Sequence, residues 1–267
     1  MAMKMKKYEE LELRDDFMFS RIMSNPKFVK PLLETILGVK IRKIVYPQTQ
    51  KTIDLSLQGK GIRLDVYVED DQNTVFNLEM QTSDGANLPK RMRYYQGMID
   101  LNILDKGQDY TTLKKSYVIF ICTFDPFGEG RHIYTFCNTC QENTALTLDD
   151  DAVKIILSTK GTMDDVSPEM QRILDYIDGK GASDKFTEEL EEAVCSARQN
   201  ERWRLDYMTL EYEYRQRYLE GKEEGRAEGR ERTIQKLHER GDSIASIADI
   251  VELDEEEVKR VIDALKL

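Results

Sequence analysis

Histidine, cysteine and tryptophan are scarce in this chain: 267 residues hold two His, four Cys and one Trp. With His132 and His238 as the whole histidine complement, a Ser-His-Asp hydrolase is not expected. Cys137 and Cys140 have metal-ligand spacing, but no second Cys/His pair accompanies them to complete a closed four-ligand zinc site, so they read as an incidental pair. A redox role for them would want a helix opening after a strand, and none is evident there. Four unevenly placed cysteines do not make a disulfide framework. Glycines 221, 225 and 229 fit neither dinucleotide-binding nor P-loop spacing. No apolar stretch approaches the roughly 18 residues of a membrane span, and the first residues lack the apolar run of a secretory signal. The expectation is a cytoplasmic protein without a membrane segment.

What the chain does have is a pair of alternating segments. Residues 61–69 and 74–81 each switch between apolar and polar with period two, and residues 70–73, Asp-Asp-Gln-Asn, supply turn chemistry between them. That pattern is a β-hairpin. Ile62, Leu64, Val66 and Val68 share one face of the first strand; Phe76, Leu78 and Met80 share one face of the second. Burying that face forces an even-to-even register, because a slip of one residue would turn an apolar set outward. A short-loop register pairs Val68 with Phe76 and Leu64 with Met80, and sets Asp65 opposite Glu79. Cross-strand neighbours stand roughly 4.5–5.5 Å apart at Cβ. Two carboxylates so close repel, a divalent cation relieves the repulsion, and hard oxygen ligands suit magnesium or manganese. The plain alternative is the solvated outer face of a two-stranded ribbon.

Asp65 followed by Glu79-Met80-Gln81 resembles the PD-(D/E)XK nuclease superfamily, whose metal-binding core is an Asp on one strand and Glu-x-Lys on the next. More narrowly, the chain is similar to the recombination-promoting nuclease and transposase family, in which Gln commonly takes the Lys position, as Gln81 does here. The likeness extends to the Asp-Phe-Met-Phe run at 16–19, to residues 88–95 after the hairpin, and to the Gly/Glu/Arg-rich tail. It implies a mixed α/β (α+β) restriction-endonuclease-like sheet flanked by helices, and a metal-dependent endonuclease acting on DNA. Catalytic roles then fall to Asp65, Glu79, Gln81 and Asp16, and metal ligation to Asp65, Glu79 and the Met80 carbonyl, with Mg2+ or Mn2+ as cofactor. Gln81 can orient water through its amide but carries no charge. Asp16 is the candidate for the acid that the superfamily often places on its first helix; as a helix cap it has an equally plain explanation, and Asp15 and Glu34 are substitutes. Arg91 and Tyr94, a turn apart on the expected helix from 87 to 104, offer guanidinium and hydroxyl donors to a phosphate. Otherwise they belong to a face packed on the sheet with solvated polar tips. The competing function is a degenerate nuclease fold serving as an oligomeric nucleic-acid- or protein-binding module.

Charge is distributed in keeping with a DNA-facing core. The net charge is −11, yet residues 1–48 hold ten Lys/Arg against six Asp/Glu, and residues 86–118 hold six against three. Residues 141–200 hold fourteen acids against six bases, and residues 241–267 eight against three. Phosphate contact follows local potential rather than the total.

The pattern divides into a nuclease-like core over 1–148, an acidic helical region over 149–220, a Gly/Glu/Arg-rich linker or helix over 221–240, and a helix-turn-helix-like hairpin over 241–267. In the core, helices are expected over 15–23 and from 28 to Gly38, strands at 41–47 and 52–57, and a helix from 87 with Asn87 as its cap and Pro89 in its first turn. A central buried strand is expected at 116–124, with 132–136 as its neighbour. Residues 193–219 read as one amphipathic helix. The glycines at 221, 225 and 229, each disfavouring a helix by roughly 1 kcal/mol, point to a hinge or a frayed helix rather than a helix held by self-association. In the hairpin, Asp254 and Glu255–Glu257 stand where a recognition helix would meet DNA, and acids there repel it. That favours a small hairpin or dimer contact over DNA docking, with a homo-oligomer assembled through the C-terminal helices.

Overall fold

The computed structural model describes residues 5–53, 62–84 and 87–265. Two helices come first, α1 (Asp16–Met23) and α2 (Pro26–Leu37). Between them the Asn25 side chain accepts the Lys27 N–H, satisfying a donor that the start of α2 would otherwise leave open. Gly38 ends α2 at φ 65°, the left-handed conformation that a residue lacking Cβ adopts at little cost. Three antiparallel strands follow: β1 (Ile44–Ile53), β2 (Ile62–Asp70) and β3 (Val75–Gln81). Helix α3 (Leu88–Ile103) leads to β4 (Ser116–Cys122), then β5 (Ile133–Phe136) and β6 (Ala152–Ser158). The sheet order is β1-β2-β3-β4-β6-β5, with β3, β4 and β6 mutually parallel and β5 antiparallel at the edge.

Both faces of this sheet are covered, as a parallel centre demands. Helix α1 lies against β1, β2 and β3. On one face Leu88, Met92, Met98 and Ile99 of α3 pack on Tyr67, Val75, Val118, Phe120, Cys122 and Ile156. Every residue of β3 is buried. The mixed α/β architecture expected of a restriction-endonuclease-like core is therefore present, with helices α4 (Pro168–Ile177) and α5 (Lys185–Arg198) after the sheet.

Several local expectations are corrected. Two strands at 41–47 and 52–57 are replaced by one, β1, which runs through Pro47; residues 54–57 lie outside the described residues. As an edge strand, β1 tolerates the missing proline N–H. The segment 132–136 is not the neighbour of β4, because β6 intervenes. Nor does the core end at residue 148: the β-branched run in 152–158 is a sheet strand, obscured in the sequence by the acids just before it. Asn87 stands at the start of α3 at φ 78° without a side-chain cap bond. A single helix over 193–219 is also wrong. α5 stops at Arg198, and α6 (Glu201–Glu239) starts where the Asn200 side chain accepts the Trp203 N–H, as an N-cap does.

Chain contacts define one compact unit over Lys6–Arg204 and a second that takes the chain from Leu205 onward. In the second, α6 passes unbroken through Gly221, Gly225 and Gly229, so the expected hinge is a helix. Glu, Arg and Lys between the glycines are strong helix formers, and Glu228 pairs with Arg232 at 3.4 Å one turn on. The two short helices expected near the end are present as α7 (Ile244–Val251) and α8 (Glu255–Leu265). Their apolar faces close on Ile234 of α6: Ile247, Val251, Val258 and Ile262 form that core.

Candidate active site

The register of the hairpin is Glu69–Val75, Val68–Phe76, Tyr67–Asn77 and Val66–Leu78. Continued by one step it brings Asp65 across from Glu79. There side chains join the ladder. The Asp65 N–H donates to Glu79 Oε1 at 3.0 Å, and the Met80 N–H donates to Asp65 Oδ2 at 3.1 Å. Each carboxylate is thus fixed by the backbone of the opposite strand, and the two converge at one end of the hairpin.

This is not a solvated face. Glu79 is 2% exposed and Gln81 9% exposed, and Asp65 is half-buried. Burial, and then the adjacent charge of Asp65, push the Glu79 carboxyl well above its ordinary range; the Asp65 N–H and the Arg91 charge act in the opposite sense. Asn77, on the same face, is near enough to lower it too, but without hydrogen-bond geometry, since both its amide atoms are buried and unpartnered. Among the described residues Glu79 has no ion-pair partner. A buried acid next to a second acid is a site poised for a cation.

The position beside it is built from α3. The Gln81 amide nitrogen donates to the Met80 carbonyl at 2.8 Å, and its Oε1 accepts from Arg91 Nη1 at 2.7 Å. Arg91 Nη2 donates to the Tyr95 hydroxyl at 3.2 Å, and the guanidinium lies 5.4 Å from the Phe120 ring centroid and 5.6 Å from that of Tyr95. Burial disfavours the Arg91 charge, but the Tyr95 hydroxyl and the charges of Glu79 and Asp65 outweigh it and hold the guanidinium protonated. A guanidinium thus contacts the residue that stands at the family's Lys position.

The structure brings together Asp65, Glu79, Met80, Gln81 and Arg91, and adds Tyr95, which the sequence did not single out for this role. Its signal was there: Tyr95 follows Arg91 by four residues, one helical turn. Tyr94 is 40% exposed on the same helix. Asp16 is the exposed first residue of α1. Its substitutes have local partners: Asp15 accepts the Glu12 N–H at 2.7 Å and Lys6 at 2.9 Å, and Glu34 accepts the Ile41 N–H at 2.8 Å.

A family model, that of the PD-(D/E)XK nuclease family transposases, matches residues 13–157, from just before α1 into β6. The chain belongs to this family. No curated protein and no solved structure shows significant similarity to it. PD-(D/E)XK nucleases generally use divalent metals, and the donor set fits one: two carboxylates and a main-chain carbonyl, all hard oxygen donors, on adjacent residues of two strands. Among the described residues no three His, Cys, Asp or Glu side chains are placed to hold a metal ion by themselves. Magnesium is commonly held by one or two carboxylates, with water and substrate oxygens completing its shell. In this core Glu79 is buried beside the half-buried Asp65.

Proposed function

We propose that this chain is a magnesium- or manganese-dependent DNA endonuclease whose DNA breaks promote recombination, acting in the cytoplasm. The observation that carries the reading is the Asp65–Glu79 pair, Glu79 buried and Asp65 half-buried, each carboxylate anchored by the other strand's N–H and Glu79 without an ion-pair partner among the described residues. Asp65, Glu79 and the Met80 carbonyl would hold the metal. When bound, such an ion polarises the scissile phosphate and lowers the pKa of a bound water. The chain's own residues do the rest. Arg91 offers positive charge toward the developing negative charge on phosphate, kept in place by Gln81, Tyr95 and the Phe120 ring. Gln81 ties the Met80 carbonyl and Arg91 together and has the second N–H of its amide nitrogen left for the attacking water. Asp16 on α1 serves as an auxiliary acid, and Tyr94 as a phosphate donor beside Arg91.

Plasmid nicking with added magnesium or manganese tests this. Purified protein is expected to cut, and Asp65→Ala or Glu79→Ala to reduce cutting at least about 10³-fold with the thermal unfolding profile kept. Equal cutting by wild type and Asp65→Ala overturns the assignment.

The second reading, a non-catalytic module, is favoured by one observation: the Gln81 amide already has partners at both ends. Calorimetry decides between the two, since a degenerate core gives no manganese-binding heat that Glu79→Gln removes. In either case self-association belongs to the helices from α6 onward, and sedimentation of the full chain reads it.

A further inference from the structure

A cavity of about 310 Å³ lies on the α3 side of the sheet, beyond Arg91. Pro89 and Met92, on either side of Arg91 in α3, line it together with Phe127, Phe136, Asn138 and Lys154. Ligand sites are typically concave and apolar, with a few convergent polar groups. The two phenylalanines are unusual for an edge strand and its loop: Phe127 is 39% exposed and Phe136 44%. Their ring centroids are 5.6 Å apart, and the Tyr134 ring meets Phe127 edge-on at 4.7 Å. The cavity therefore presents preset aromatic faces to solvent.

The polar margin says what suits those faces. Lys154 lines the cavity and is the register partner of Phe136 across β5 and β6, and its charge also acts on the Asp100 carboxylate of α3. The Asn138 amide nitrogen is tied to Asp150 at 2.6 Å, so its carbonyl oxygen is the acceptor it can offer. A flat apolar face, a cation next to it and one hydrogen-bond acceptor match a nucleotide: a base to stack, a phosphate to neutralise, and an amino or imino N–H to receive. A base reaches such a face only when it is out of the duplex stack.

We propose that this cavity is a nucleobase-stacking subsite that takes an unpaired nucleotide next to the cleavage site, so that the substrate carries a single-stranded or splayed segment. The inference rests on the nuclease reading for its adjacency to cleavage, but not for the binding itself.

The test uses the full chain with chelator, so that nothing is cut, and a fluorescein-labelled single-stranded oligodeoxynucleotide beside its blunt duplex. Phe136→Ala is expected to weaken single-strand binding about tenfold and to change duplex binding less than about twofold. Phe136→Trp is expected to keep single-strand affinity, and its emission, read against the lone Trp203, to be quenched as the strand binds. Unchanged single-strand affinity in Phe136→Ala, or unquenched emission in Phe136→Trp, overturns the proposal. So does a loss of self-association in Phe136→Ala with oligonucleotide binding intact, which would make the face a contact between copies. The two readings fail separately. Adding Asp65→Ala to the Phe136→Trp protein, in magnesium, is expected to stop cutting while the quench persists. A quench in a Phe136→Trp protein that, like the wild type, never cuts keeps the subsite and sinks the nuclease; cutting without a quench does the reverse.

Discussion

At its turn end the β2–β3 hairpin holds Glu69 against Lys114 at 3.0 Å and under the Tyr67 hydroxyl at 2.8 Å. Asp70 next to it closes the turn, its Oδ1 accepting the N–H groups of Gln72 and Thr74 at 2.9 and 2.8 Å. At its open end the same hairpin holds Glu79, more deeply buried than Glu69, facing a second carboxylate, with backbone N–H groups as the direct donors. Both are glutamates of one hairpin, at its opposite ends. What differs is the counter-charge. At the turn end a lysine contacts the carboxylate directly; at the open end the nearest cation described, Arg91, is bonded to Gln81 and Tyr95 instead. On the proposed reading the acid at the open end is the one a metal ion would neutralise, whereas the acid at the turn end already has its lysine.

The sharpest way to break that contrast is to move the open-end cation. Arg91→Met is expected to lower metal-dependent nicking about 10²-fold, the usual scale for removing one preorganised charged donor. Adding Gln81→Lys to that variant returns a positive charge to the strand position and is expected to recover at least about tenfold. No recovery in the double variant, with both proteins folded, would show that Arg91 acts through shape and not charge.

A smaller effect separates the ends by titration. Glu79 is held above its ordinary value of 4.5 by burial and by Asp65, so the native state keeps a proton that the unfolded chain releases. Its contribution to stability is complete at pH below that ordinary value and is lost as pH rises through the higher native one. The slope is at most about 1.4 kcal/mol per pH unit. Urea denaturation of metal-free protein across pH is expected to show this decline, and Glu79→Gln to flatten it. Identical slopes in the two proteins would remove Glu79 as the source.

The turn end should respond least. Lys114→Ala removes a partly exposed ion pair and is expected to cost about 0.5–1 kcal/mol in urea midpoint analysis, with nicking unchanged. A large loss of nicking in Lys114→Ala would erase the distinction between the two ends.

Much of this hairpin was legible in the chain. Alternation placed Asp65 and Glu79 on one side, and the parity of two apolar sets fixed the Val68–Phe76 pairing that the structure has. The short helices before it and at the C-terminus were equally plain, since Gly38 and Ser243 mark their ends by local conformation and capping. β6 was not legible, because three acids precede it and a strand buried by its neighbours needs no alternation of its own. α6 was misjudged at its glycines for a related reason: propensity is a sum over the helix, and a few weak positions do not decide it. Arg91 was visible as a basic residue, but its bond to Gln81 was not, since it depends on where α3 crosses the sheet.

Sequence by itself determined which side chains share a face, because the periods of strand and helix are properties of the local backbone. It also determined that two acids would meet across a turn. Only the tertiary structure decided that α3 covers that face, that Glu79 is cut off from water, and that a guanidinium rather than a lysine stands beside the pair. The reason is physical: periodicity says which way a residue points, while the dielectric and the charges around it come from chain segments far away in sequence.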